Sequence, residues 1–261
     1  MPNQTVLSGL DADRVQGYRA ILCDLDGCLI AGGKLLPGAA GFVQTVLDRL
    51  WIVSNNSSDT AETLAARLKT LGLNVPENRI LLAGEQAVEY LERTSPGARL
   101  RCLADEPIAE KAAEHGFELG SGLTDYVLLG RMAAFDLEQL THTVADLHSG
   151  ARLLLANADR THPDQSGTPV PETGAWLAAV EACLPGLDFE CFGKPAPHLL
   201  TEALRRAGAH PAEAVFVGDN PETDGAAAET LGLDFIEIRR LPATKGSQLP
   251  PRQGNVESVS C

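Results

Sequence analysis

The chain has 261 residues, 44% of them hydrophobic and 21% charged, enough apolar side chain to bury a core in one large domain or two modest ones. Its formal charge of −14 and its lack of a basic stripe exclude a nucleic acid polymer as the main partner, because neutralising phosphates needs clustered Lys and Arg. Residues 1–18 are polar without an apolar h-region and no span approaches bilayer length, so a cytoplasmic location with no membrane partner is expected; six cysteines without a CxxC pair predict neither a disulfide scaffold nor zinc.

The first predicted element is the apolar run 20–23, which ends abruptly in Asp24-Leu25-Asp26-Gly27-Cys28-Leu29. A short apolar run bounded by turn signals reads as a buried parallel strand, and ligands of open α/β sheets gather at the carboxyl ends of such strands. In extended backbone, side chains two apart point the same way, which would present Asp24 and Asp26 together. A strand followed by a plain Asp-Gly turn is the alternative from these residues alone.

Residues 31–37 read as a Gly-rich loop and 38–50 carry apolar residues at helical spacing. The strand 51–53 then ends in Ser54-Asn55-Asn56-Ser57-Ser58-Asp59, with Glu62 spaced for a capping box on Asp59. A helix continues to Gly72, followed by a strand at 79–83, a helix to about Thr94 and a break at Ser95-Pro96-Gly97. A second sheet is expected beyond, with strands at 99–104, 126–129 and 152–156 and helices at 108–115, 136–148 and 173–184. Alternating strands and helices imply parallel pairing.

Residues 189–192 lead into Gly193-Lys194-Pro195, where Lys194 is the only lysine between Lys111 and Lys245, and a helix follows over 197–207. The run 214–217 ends in Gly218-Asp219, and Asp224 opens a helix to Leu231. The segment from about 240 to 261, rich in Pro, Gly, Ser and Gln without periodicity, is expected to be a mobile tail.

Four acidic groups at strand tips would repel one another, and a hard dication such as Mg²⁺ resolves the repulsion. Hydroxyl and amide groups at Ser54 and Asn55 and the ammonium of Lys194 add a place for an anion, and phosphate fits. A carboxylate beside Mg²⁺ can accept a phosphoryl group, and a second carboxylate can protonate the leaving oxygen and then deprotonate water.

In order and spacing, Asp24-Leu25-Asp26-Gly27, Ser54-Asn55, Lys194 and Gly218-Asp219 to Thr223-Asp224 resemble the motifs of the haloacid dehalogenase superfamily. With Asn157-Ala158-Asp159 and Gly193-Lys194-Pro195, the chain is similar to its branch of nitrophenyl phosphatases, phosphoglycolate and pyridoxal phosphate phosphatases and NagD-like nucleotide phosphatases. The resemblance implies an α/β fold, a Rossmann-like doubly wound parallel core with an inserted α/β cap. The expected division is a discontinuous core of 1–83 and 185–261 with the cap at 84–184.

The same resemblance implies that Asp24 is nucleophile and metal ligand, and that Asp26 is acid/base and a ligand through its backbone carbonyl. Ser54 and Asn55 would hold the phosphoryl group, Lys194 would offset charge between it and the nucleophile, Asp219 would complete a Mg²⁺ site and Asp224 would act behind it. The implied activity is Mg²⁺-dependent hydrolysis of a small phosphorylated metabolite, such as a nucleotide, sugar phosphate, phosphoglycolate or pyridoxal phosphate. Caps of this branch often support a homodimer, although no residue here argues for one.

Some positions depart from the family pattern. Cys28 stands where threonine is frequent, Ala158 where proline is common, and the connection between Leu47 and Trp51 is short. In the cap, Arg131 follows a strand where relatives vary and is a candidate for meeting a second anionic group; His162 and His198 carry no argument as lone histidines. A dehalogenase would need neither Asp26 nor a metal, and no GxGxxG supports dinucleotide chemistry. A phosphomutase, and a silent binding protein on the same scaffold, remain as alternatives.

Overall fold

The computed structural model describes residues 2–120, 122–163 and 168–240. Its first sheet has six parallel strands in the order Gln4–Leu7, Asp234–Ile238, Ala214–Gly218, Ala20–Cys23, Leu50–Ser54 and Ile80–Leu82. The central strands Ala214–Gly218, Ala20–Cys23 and Leu50–Ser54 are buried at every position. Near-continuous apolar strands require cover on both faces, and alternate side chains supply two cores. Ile21, Cys23, Ile52 and Val217 pack with residues of helices Ala39–Val46 and Ala61–Thr70, while Leu22, Val53 and Phe216 pack with residues of His198–Ala207 and Ala226–Leu231. Helix His198–Ala207 buries Leu199, Leu200, Ala203 and Leu204, one stripe at the helical repeat.

From the strand Ala20–Cys23 the chain builds toward one edge, then returns to add Ala214–Gly218 on the other side. The switch point of this doubly wound sheet therefore lies between those two strands, where a crevice opens at their carboxyl ends. Asp24 follows one strand and Asp219 the other.

A second sheet is inserted between the strands Ile80–Leu82 and Ala214–Gly218. Its five parallel strands run in the order Phe189–Cys191, Arg152–Leu155, Tyr126–Leu129, Arg99–Leu103 and Glu118–Leu119. Helices Ala83–Thr94 and Glu106–Glu114 cover one face through Leu100, Leu128 and Leu154, and helices Leu137–His148 and Thr173–Cys183 cover the other through Val127, Leu129 and Leu155. The fold is thus an α/β doubly wound core carrying an α/β cap.

Several local expectations need correction. The strand Phe189–Cys191, assigned above to the core side of residue 185, pairs with Arg152–Leu155 in the cap sheet. It is short and only half buried, so its partner is set by backbone pairing rather than by an apolar pattern. The capping box uses Thr60 and Thr63 rather than Asp59 and Glu62: the Thr63 N–H donates to Thr60 Oγ1 at 3.2 Å and the Thr60 N–H to Thr63 Oγ1 at 2.9 Å. Starting the helix one residue later frees Asp59 to pair with Arg67 at 2.9 Å. The loop 31–37 contains a small hairpin, Ile30–Ala31 against Lys34–Leu35. Asp224 lies within a π-helical turn, Pro221–Gly225, ahead of the helix Ala226–Leu231 rather than at its start.

The edge strand Gln4–Leu7, its neighbour Asp234–Ile238 and the antiparallel ribbon Thr161–Pro163 with Pro169–Pro171 were not foreseen. Of the expected tail, all but residue 240 lies outside the described residues. No described helix is long and apolar enough to cross a membrane.

Candidate active site

Three strand ends and one cap junction converge at the switch point. Lys194, which follows the last cap strand, brings its ammonium 2.5 Å from Asp24 Oδ1 and 2.7 Å from Asp224 Oδ1, and donates to the Val53 carbonyl at 3.2 Å. All three charged residues are almost inaccessible, at 6% for Asp24, 3% for Lys194 and 1% for Asp224. Burial alone would lower the lysine pKa, but Asp224 and Asp24 outweigh it and hold the ammonium protonated above its ordinary range. Burial raises Asp24 well above the usual carboxylate range, Lys194 opposes that, and Asp224 and Asp219 add to it. Two carboxyl groups share one cation in a dry place, so ionising both would leave one negative charge unpaired.

Glycines make room for two of these carboxylates. A Cβ at Gly27 would stand 1.9 Å from Asp219 Oδ2, and the backbone there has φ of +83°, which disfavours other residues. A Cβ at Gly218 would stand 2.4 Å from Asp224 Oδ2, the oxygen that accepts the N–H groups of Asp219 at 3.1 Å and Asn220 at 3.2 Å. Asp219 is more open than Asp224, and desolvation followed by the charge of Asp224 pushes its carboxyl up to about 6.

Carboxylate oxygens of Asp24 and Asp219 and the Cys28 sulfur all lie within 4.8 Å of one another. The two carboxylates fit a hard divalent cation, which prefers oxygen. The thiol does not: its contact with Cys23, and then burial, hold Cys28 well above its usual pKa and so protonated. Asp26 contributes no carboxylate to this cluster. Its side chain sits at the open mouth of the crevice, where desolvation by the walls raises its pKa against the opposing charges of Arg67, Lys194 and His162.

Ser54, at the tip of its strand, is buried and accepts the Asn56 N–H at 3.2 Å. The Asn55 side chain, expected to face a phosphoryl group, is engaged within the protein. Its Oδ1 accepts the Lys194 N–H at 2.7 Å, and its Nδ2 donates to the Lys194 carbonyl and to Asp159 Oδ2, each at 3.0 Å. Asn55 thereby fixes the backbone that carries Lys194 and joins the core to the cap.

Three further residues belong to the surroundings: Ser57 and Asn157, quoted above in their motifs without a role, and Glu172, which the sequence reading missed. Ser57 Oγ accepts the Arg131 N–H at 2.9 Å, and the Asn157 amide donates to the Asn55 carbonyl at 2.9 Å. Glu172 lies 2.7 Å from His162 Nδ1 and 3.6 Å from Arg131 Nε, so Arg131 is beside a carboxylate rather than free. Nothing in the spacing of Arg131, His162 and Glu172 signals this meeting, which only the cap fold creates.

Comparison with known proteins follows the same lines. A family model described as haloacid dehalogenase-like hydrolase matches residues 21–118, and a related HAD-hydrolase-like model matches 191–240. A dihydroxyacetone phosphatase of Corynebacterium glutamicum is 31% identical over 234 residues, covering 85% of this chain and 84% of that protein. Among solved structures, NagD from Escherichia coli K-12 superposes with a TM-score of 0.77 at 27% identity, over 85% of this chain and 88% of NagD. A glycerol phosphate phosphatase from Mycobacterium tuberculosis in complex with calcium superposes with a TM-score of 0.78 at 30% identity, over 85% and 66% of the two chains.

Proposed function

The chain belongs to the haloacid dehalogenase-like hydrolases, and from that premise we propose that this phosphatase hydrolyses a small phosphomonoester with Mg²⁺ through a phosphoryl group carried on Asp24. The observation that carries the reading is the Asp24–Lys194–Asp224 cluster beside Asp219, two carboxyl groups sharing one buried cation at the sheet's switch point. The oxygen donors of Asp24 and Asp219, with the Asp26 carbonyl, would hold Mg²⁺, which when bound offsets negative charge between nucleophile and phosphoryl group.

In the first half-reaction an Asp24 oxygen attacks phosphorus and the ester P–O bond breaks. Asp26 donates its proton to the departing oxygen; a carboxyl raised above its ordinary pKa suits that role. In the second half-reaction Asp26 takes a proton from water, the water oxygen attacks phosphorus, and inorganic phosphate leaves with Asp24 restored. Lys194 keeps one Asp24 oxygen in place, and the Ser54 hydroxyl hydrogen-bonds the phosphoryl oxygens. Asn55 acts by positioning Lys194, and Asp224 holds the lysine from behind. The cap shelters the reaction from bulk water and meets the leaving group. We further propose a cytoplasmic location, supported by the low cysteine content and the lack of a CxxC pair.

Phosphate release from a panel of phosphorylated metabolites tests the reading, with Mg²⁺ and with chelator, for the native protein and Asp24→Asn. Release that needs the metal and disappears in the variant is expected. Equal release by the variant would overturn the assignment of Asp24.

A further inference from the structure

Three charged side chains from separate cap segments meet on the side of the cap that is bonded to the catalytic end of the core. Glu172 stands at the N-cap position of helix Thr173–Cys183 and is only 9% exposed. Its Oε1 lies 2.7 Å from His162 Nδ1 and 3.6 Å from Arg131 Nε, and Arg131 Nη2 is 3.4 Å from His162 Nε2. A guanidinium can only donate, and Arg131 is offset by the Glu172 carboxylate beside it.

Its position is set by bonds to the core. The Arg131 N–H donates to Ser57, Asp159 three residues before His162 accepts from Asn55, and Asn157 donates to the Asn55 carbonyl. His162 is also among the groups whose charge bears on Asp26. The cluster therefore borders the route by which a leaving group extends away from Asp24 and Asp26.

The balance of charge along this route decides what it accepts. Asp159 is bonded to Asn55 at the junction of cap and core, Asp59 is paired with Arg67 at 2.9 Å, and Arg131 is already beside Glu172. A second anionic group would have to separate Arg131 from Glu172 and would face the remaining carboxylates. An uncharged group bearing hydroxyls meets no such opposition, since the carboxylate accepts its O–H groups while the guanidinium donates to its oxygens. Resting on the phosphatase reading above, we propose that Glu172, His162 and Arg131 form the leaving-group subsite, and that it selects an uncharged polyol over a leaving group carrying a second negative charge.

Glycerol 3-phosphate and 3-phosphoglycerate differ in the hydroxyl or carboxylate that such a subsite would meet, and p-nitrophenyl phosphate carries neither. For the full chain, kcat/KM on glycerol 3-phosphate is expected to exceed that on 3-phosphoglycerate by about 10-fold or more. In Glu172→Gln the ratio of glycerol 3-phosphate to p-nitrophenyl phosphate is expected to fall about 10-fold, and 3-phosphoglycerate should gain on glycerol 3-phosphate. A native preference for 3-phosphoglycerate would overturn the proposal, as would a variant that slows all three substrates equally, since that marks a structural role. Release from p-nitrophenyl phosphate without the polyol preference defeats the subsite alone; no release from any substrate defeats the phosphatase reading and the subsite with it.

Discussion

The Lys194 ammonium and the Asp24 carboxylate, 170 residues apart in the chain, meet at 2.5 Å in a place neither can share with water. Removing the cation leaves Asp24 and Asp224 buried side by side without a partner. Lys194→Met is expected to lower stability by about 3–5 kcal/mol near neutral pH and to abolish turnover. Urea unfolding with linear extrapolation measures the first; a loss below about 1 kcal/mol would show that the pair is not dry.

Gly27→Ala places a methyl where the Asp219 carboxylate now lies, at 1.9 Å from its oxygen, on a backbone of φ +83°. The expected outcome is a displaced Asp219 and a weakened cation site. Added Mg²⁺ should raise the thermal midpoint of the native protein and raise that of the variant far less. Equal shifts would remove Asp219 from the site.

Asn55→Ala deletes three hydrogen bonds and leaves the Lys194 N–H without its acceptor. A loss of about 2 kcal/mol in stability is expected, with kcat falling more than KM rises, because the displaced lysine matters most when charge develops. A pure KM effect would instead favour direct contact between Asn55 and substrate.

Away from the site, Glu202 is held low, at about 2, first by its hydrogen bonds to Arg205 and then by Arg206, with burial opposing. Arg206 carries the link on to Glu89 at 2.7 Å, joining helix His198–Ala207 to helix Ala83–Thr94. A carboxylate whose folded pKa is depressed contributes stability that is present above its unfolded value and lost as pH falls through the folded one. Glu202→Gln should therefore cost up to about 1 kcal/mol at pH 7, and its difference from the native protein should narrow below about pH 4.5. A difference that stays constant on acidification contradicts the pairing.

Chemistry was more legible in the sequence than topology. Asp24, Lys194, Asp219 and Asp224 stand at ends of apolar runs or at breaks, where residue type and position together signal a site, and the fold brings them together. The strand Phe189–Cys191 was assigned to the core because a half-buried three-residue segment carries no periodicity that names its sheet. Edge strand Gln4–Leu7 is mostly exposed, so its polar sequence hides a pairing made entirely by backbone. The partners of Asn55 were hidden for a related reason: its amide finds Lys194 and Asp159, which tertiary structure rather than local spacing brings to it. Glu172 was invisible because it gains meaning only beside His162 and Arg131.

In the proposed mechanism Asp24 carries the phosphoryl group and Asp26 moves the protons. Asp26→Asn keeps the nucleophile but lacks the base for the second half-reaction, so brief incubation with p-nitrophenyl phosphate and Mg²⁺ followed by acid quench should trap the intermediate. Mass spectrometry of the digested protein is predicted to find a phosphoryl adduct on the peptide containing Asp24, absent when Asp24 is also changed to Asn. An adduct on a different residue, or steady phosphate release by the double variant, would contradict the account.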